Sequence, residues 1–558
     1  FLPMNRAEFL SAFFFFNNFE EKPPLGGLEQ YSGAWTQKQV IHLLRRTTFG
    51  VKKSEVDTLA ASGLNGAIAA LLDTSGTKDP IPSPPLNLYS TTAVPDPTTP
   101  YGQTFVDANP LTTIPPEYYQ ARTNMLKAWW TGNLIHQKMT ITEKMTLFWF
   151  NHFAIEADTV QIAQGVYYYY KLLRDNALGN FKTLVKLVSV HPAMLLYLNG
   201  YKNSKTAPDE NYGRELQELF TIGKGVDSKY TESDVKAAAR VLTGFRINPL
   251  TTPISYYFDP SQHDTTDKTF SSFYGNKKIT GKQFLAGEQE LDELITMLLD
   301  NIETARHLCR KLYQYFIYYE ITPEAETNVI IPLADFFKSS GYDIKSTVEK
   351  LLKSAHFYDE DSIGCVIKSP LEYCVGLCKT FSIAIPDSTQ KEAQYFSWGI
   401  VAGLAASQGQ NIADPPVVSG WQAWYQVPQF HRIWINADTL GNKNKAAEAL
   451  FSSNGVVLLN ISIKIDVFKF FENISDKENA TSVVTESVAL LYNYPLSTTS
   501  INYFKNYLTG GNAMGETYWT QIVLAYKNNP NDTNKNQIET RLKPMLKEIV
   551  VQAEYHLS

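Results

Sequence analysis

Between Thr206 and Gly225 the chain sets its densest polar chemistry on one predicted helix. With successive residues about 100° apart, Asn211, Arg214, Glu215 and Glu218 share one arc, and Tyr212, Leu216, Leu219 and Phe220 form an apolar one. A guanidinium beside two carboxylates suits general acid–base work. A carboxyl kept protonated by burial gives a proton, and its charged neighbour steadies the developing charge. Paired carboxylates flanking a cleft would suit glycoside cleavage. Downstream, His263-Asp264, with Lys268 four residues on, offers a partner, so Glu215, Glu218, Arg214, His263 and Asp264 form the catalytic set. The same spacing also makes Glu210, Arg214 and Glu218 a ladder of i,i+4 ion pairs, worth a few tenths of a kcal/mol each on a solvated face.

Asn211, Asn151, His152, Arg240 and Lys268 are the candidate substrate contacts. A divalent metal, if one is used, would draw on His152, His191, His263 and Asp264, since three imidazoles and a carboxylate suit zinc. No HExxH or HxH pair ties two such ligands to one element, and the preferred reading of each histidine is a satisfied core or capping residue. A GxSxG elbow is missing, and Gly223-Lys-Gly225 lacks the preceding strand and further glycines of a phosphate loop. The non-catalytic alternative makes Asn211, Arg214, Glu215 and Arg240 a buried network that fixes helix register in a scaffold.

The elements that must position these groups are mostly helical. Thr206 is the expected N-cap of the organising helix, with Asp209 as capping-box acid and Pro208 in the first turn. Gly223 and Gly225 around Lys224 mark its end. Thr36–Thr47, Lys53–Leu72, Pro116–Thr131, Thr140–Ala154 and Thr159–Asn176 read as helices. The last carries tyrosine at 167–170, which covers every side, so it should be surrounded by protein. Thr231-Glu-Ser-Asp234 opens a further helix that Gly244 closes. Short strands follow in 245–290, helices resume to Phe381, 385–440 reads as irregular, and helical or mixed segments run to His556.

The expected fold is therefore mainly α, a large multi-helix body with a small β-hairpin insertion near 245–290. Its parts are an aromatic arm (1–35), a helical core (36–384) with a Pro/Thr-rich loop at 74–115, an irregular Gly-Trp region (385–440) and a helical segment (441–558). A chain of 558 residues, 44% hydrophobic and 19% charged, is globular rather than disordered. Its net charge of −6, without a basic stripe, gives nucleic acid nothing to bind. No run approaches the ~18 apolar residues of a membrane span. Peripheral docking falls to the Phe-rich arm around Phe13–Phe16. Met4–Leu10 carries a single arginine and fails the twin-arginine export pattern. Cys374 and Cys378 lie i,i+4 in no zinc or redox spacing, and buried thiols are expected.

Several blocks in fixed order carry a resemblance: His42-Leu-Leu-Arg-Arg-Thr-Thr-Phe-Gly50, Glu143-Lys-Met with Phe148-Trp-Phe-Asn-His-Phe153, Arg174–Phe181, Pro208–Gly223, Tyr230–Val235 with Ala239–Gly244, His263-Asp264, Lys368–Glu372 and Pro415–Trp421. Together they resemble the large bacterial family known as domain of unknown function 1800, over roughly 36–440. The resemblance implies a mostly helical protein exported to the periplasm, cell surface or medium. It also implies a possible envelope partner, since relatives are often encoded beside a sulfatase- or phosphatase-like family. It carries no catalytic residues. Many relatives read Trp-His-Asn-His-Phe where this chain has Trp149-Phe150-Asn151-His152-Phe153, and Pro-Asn-Glu-Asn where it has Pro208-Asp209-Glu210-Asn211. The missing first histidine weakens a two-histidine metal site there. The expected function is a hydrolase-type enzyme acting on an extracellular polymer or ester. The alternative is a non-catalytic envelope scaffold or binding subunit.

Overall fold

Thr142–His152 is buried along its whole length and packs against Ala163–Asp175. The computed structural model describes residues 26–558 apart from 77, 92–94, 110–114, 459–460, 493–495 and 512–513. The Phe-rich stretch and its docking role lie outside the described residues. The fold is mainly α, and its apolar core runs without a break from Val40 to Tyr555, drawing on every described segment.

Local signals set most helices where the sequence places them. Thr36 caps Gln37–Thr47 and Thr231 caps Glu232–Val241, each through a complete capping box. The tyrosine-rich helix, Ala163–Asp175, buries Tyr167, Tyr169 and Tyr170, with Tyr168 at its edge. Buried hydroxyls need acceptors. Tyr169 donates to the Phe153 carbonyl (2.7 Å) and Tyr170 to Glu143 Oε1 (2.7 Å). Glu143 also takes Arg174 Nε (2.8 Å), and Arg174 reaches Asp79 (2.6 Å). Asp96 receives Arg122 (2.7 Å) and Tyr89 (2.6 Å). Two charge networks thus pin the 74–115 loop to the core.

Three expectations need correction. The stretch 385–440 is not irregular throughout, because Lys391–Ala406 is a helix packed along Pro116–His136. Ser397, Gly399 and Gly403 hide it from a propensity reading, and neither glycine is itself needed for close approach, since a Cβ on either would meet nothing nearer than 3.9 Å. A Cβ on Gly132 of the facing helix would fall inside the Trp398 ring. The expected Thr159–Asn176 helix is two pieces, Ala157–Val160 and Ala163–Asp175, broken where Gln161 takes a left-handed conformation (φ 56°). Thr206 does not cap the organising helix. Asp209 does, accepting the Asn211 N–H (2.8 Å). Proline disfavours helical backbone at the residue before it, which keeps Ala207 out of the helix, and Asn203 Oδ1 holds the Asp209 N–H (2.9 Å).

The 245–290 insertion contains two antiparallel hairpins. β1 (Phe245–Asn248) pairs β2 (Ser255–Phe258) with Phe245 opposite Phe258, and β3 (Lys268–Thr269) pairs β4 (Lys278–Ile279). A further hairpin joins β5 (Val456–Leu458) to β6 (Ile461–Ile463), where the sequence reading expects helical or mixed structure.

Candidate active site

The organising helix changes pitch midway. Glu210–Glu215 is α-helical and Leu216–Phe220 is a π-helix, with Gly223 left-handed (φ 86°) just beyond it. Wide π-turns are frequent at functional sites. Here the carbonyls of consecutive residues leave the turn and meet side chains from other helices. Leu219 O accepts His307 Nε2–H (3.0 Å) and Phe220 O accepts His152 Nε2–H (3.1 Å). These bonds leave Nδ1 of each ring as the lone-pair nitrogen, and His152 Nδ1 is buried without a partner. Burial holds His152 far below the usual histidine range and His307 down to about 3, so both are neutral. Gly223 is required sterically, since a Cβ there would strike His307 Nδ1. One turn further along Ile302–Phe316 stands Lys311, which has no hydrogen bond or ion pair among the described residues. Burial pushes its ammonium down to about 8.

Sequence reasoning missed His307 and Lys311. Their only signal is an i,i+4 polar pair on a helix whose other face is apolar.

The carboxylates of the organising helix have unlike fates. Arg214 makes a two-pronged pair with Glu232 (2.8 and 2.7 Å), reaches Glu210 (3.1 Å) and lies 3.7 Å from Glu218. The expected ladder thus exists and gains a rung from the neighbouring helix. Glu218 is ion-paired with Lys224 (2.5 Å). Glu215 has no hydrogen bond or ion pair among the described residues. Burial first, and then the Glu218 charge, raise its carboxyl above the usual range. Asn211 is exposed, and its amide reaches only the Leu198 carbonyl (3.4 Å).

Beside Glu215 stands Tyr197, whose hydroxyl donates to Glu156 (3.2 Å) and is pushed upward by burial and by Glu156, Glu215 and Asp414. Asp414 is ion-paired with Lys127 and accepts the Asp158 N–H (2.9 Å). Burial raises its carboxyl as well, against the pull of Lys127. Asn151 works one step further in, where its Oδ1 accepts the Trp421 N–H (2.8 Å) and anchors the Pro415–Trp421 block.

The other predicted residues gather under the hairpins. Arg240 Nε donates to Asp264 (2.7 Å), and Thr266 donates from its N–H (2.8 Å) and hydroxyl (2.5 Å). Burial opposes ionisation there, but these bonds win and hold Asp264 down to about 2. His263 Nδ1 meets the Thr243 carbonyl (2.9 Å), and its Nε2 lies 3.1 Å from Glu290. Glu290 also takes Lys268 (2.5 Å) and the Lys282 N–H (2.7 Å), with neither Glu290 nor Lys268 exposed. Glu290 was not legible as a site residue, because the first turn of a helix is an ordinary place for an acid.

The candidate catalytic residues thus fall into two groups, Arg214, Glu215 and Glu218 on the organising helix and His263 and Asp264 under the hairpins. No hydrogen bond or ion pair joins them among the described residues. The four candidate metal ligands likewise have separate partners. His191 Nδ1 caps the Pro192–Tyr197 helix (3.2 Å from Ala193 N) and packs on Tyr169. Among the described residues no group of three or more His, Cys, Asp and Glu side chains is placed to hold a metal ion.

Fold and site together define a large helical protein with a half-buried carboxyl and two backbone-anchored imidazoles around a π-turn. The chain belongs to the family described as "Protein of unknown function (DUF1800)", whose model matches residues 42–556. No curated protein and no solved structure matches it.

Proposed function

We propose that this chain is an exported hydrolase-type enzyme acting on an extracellular polymer or ester, with Glu215 as its acid–base group. The carrying observation is the Glu215 carboxyl, half-buried, without a hydrogen-bond or ion-pair partner among the described residues and raised by its surroundings, beside an ion-paired Glu218. Two carboxylates whose environments differ in this way divide the labour of bond cleavage. The protonated one protonates the leaving group and then, as carboxylate, activates water. Arg214 and Lys224 steady the negative charge of the reacting centre. The test is a panel of esters and glycosides assayed with the wild type and Glu215→Gln. A rate lost by about 10²-fold or more with folding intact supports the role. Equal rates remove Glu215 from the chemistry.

A scaffold reading is favoured by one observation. Arg240–Asp264, Lys268–Glu290 and Asn151–Trp421 are closed networks that hold elements in register. If the whole panel is inert and the protein pulls down an envelope partner, the scaffold is the better account.

A further inference from the structure

Cations outnumber anions in the core between Gln37–Thr47 and Pro370–Thr380. Arg45, Arg46, Lys144, Lys368 and Lys443 are all at least nine-tenths buried there. Glu372, at the start of the second helix, is ion-paired with Lys144 and accepts the Ser369 N–H (2.7 Å). The other four cations bind no carboxylate among the described residues. Arg46 donates to the carbonyls of Phe316 and Tyr315 (2.9 Å each) and to Ser558 Oγ (2.9 Å). Arg45 donates to Leu490 O (2.9 Å), Lys368 to Tyr555 O (2.5 Å) and Lys443 to Lys368 O (2.9 Å). Carbonyl dipoles solvate a cation without neutralising it, and unneutralised charge in a low-dielectric core is costly. Burial accordingly pushes Lys443 down to about 8.

A cavity of about 30 Å³ lies in the midst of this charge, lined by Arg45, Lys368, Glu372, Thr380 and Tyr555. Arg45 is 6% exposed, and its buried Nε–H has no acceptor among the described residues. The space exceeds the ~10–15 Å³ that one water needs and suits a single small ion. We propose that this cavity binds a small inorganic monoanion of halide size, held by Arg45 Nε–H and balancing the two cationic side chains that line it, Arg45 and Lys368. The ion would tie the Arg45-bearing helix to the segment that leads into Pro370–Thr380, so its role is structural and independent of Glu215.

Bromide is the probe. Crystals of the full chain grown in sodium gluconate and soaked in sodium bromide should give an anomalous peak within hydrogen-bond distance of Arg45 Nε. At equal ionic strength the wild type should melt about 1–3 °C higher in bromide than in gluconate, an anion too large for the cavity. Lys368→Met should lose that difference. Density without anomalous signal means water fills the cavity and overturns the proposal. Equal melting in both salts, or a bromide effect undiminished in Lys368→Met, overturns it too.

Discussion

His152 and His307 come from different helices, yet they donate to adjacent carbonyls of one π-turn, Phe220 and Leu219, with ring centroids 6.3 Å apart. The turn and the two rings specify one another. Leu219 and Phe220 close the helix, so their carbonyls have no amide of the same helix ahead of them, and without the rings they would be left unpaired. His152→Ala should therefore lower unfolding free energy by about 2–4 kcal/mol, from an unsatisfied carbonyl and a cavity among aromatic rings. His307→Ala, at a partly exposed site, should lose about 1–2 kcal/mol. Denaturant unfolding of both singles and the double checks this. Because the two share the turn, the double should fall short of the sum.

Gly223 gives an independent test of that geometry. Its φ of 86° already disfavours a side chain, and a Cβ would meet His307. Gly223→Ala should lose about 2 kcal/mol or more. Gly223→Ala combined with His307→Ala should recover part of that loss, because the collision is relieved while the backbone strain remains.

The contrast between Arg214 and His307 shows where sequence is legible. Helical spacing alone brings Glu210, Arg214 and Glu218 together, so the ladder could be read directly. The π-turn could not, since it departs from the 3.6-residue period on which such readings rest. His307, Lys311 and Glu290 reach their sites through tertiary packing, and a sequence carries no distance between helices. The capping box at Thr231 was legible because it is local. The Lys391–Ala406 helix was not, because Gly399 and Gly403 lower its helix propensity while packing along Pro116–His136 supports it.

Glu215 predicts an unusual pH response. Its folded carboxyl titrates above the ordinary glutamate range, so the folded chain holds that proton more tightly than the unfolded chain. Stability from this group must then fall as pH rises through that window. Glu215→Gln, which never ionises, should be more stable than wild type at pH 7, with the advantage fading as pH drops below the folded titration. Asp264 has the opposite sign. Its stabilisation is present above the unfolded value of 3.8 and is lost as pH falls through about 2. Asp264→Asn should therefore be less stable than wild type at pH 7 and converge with it near pH 2. Unfolding curves across this range check both.

Lys268 and Glu290 separate a structural network from a catalytic one. Both side chains are fully buried, and Glu290 also faces His263. Removing one partner leaves an uncompensated charge in the core, so Glu290→Gln should lose about 3–5 kcal/mol. Replacing the pair together, Lys268→Met with Glu290→Leu, removes both charges and should restore most of the stability, because well-packed apolar residues often equal a buried ion pair. If His263 and Glu290 instead served catalysis, the double variant would be stable but inactive on any substrate the wild type cleaves. If they only hold the hairpins against Glu290–Asp300, activity should return with stability. Unfolding and turnover measured on the same three proteins distinguish the two outcomes.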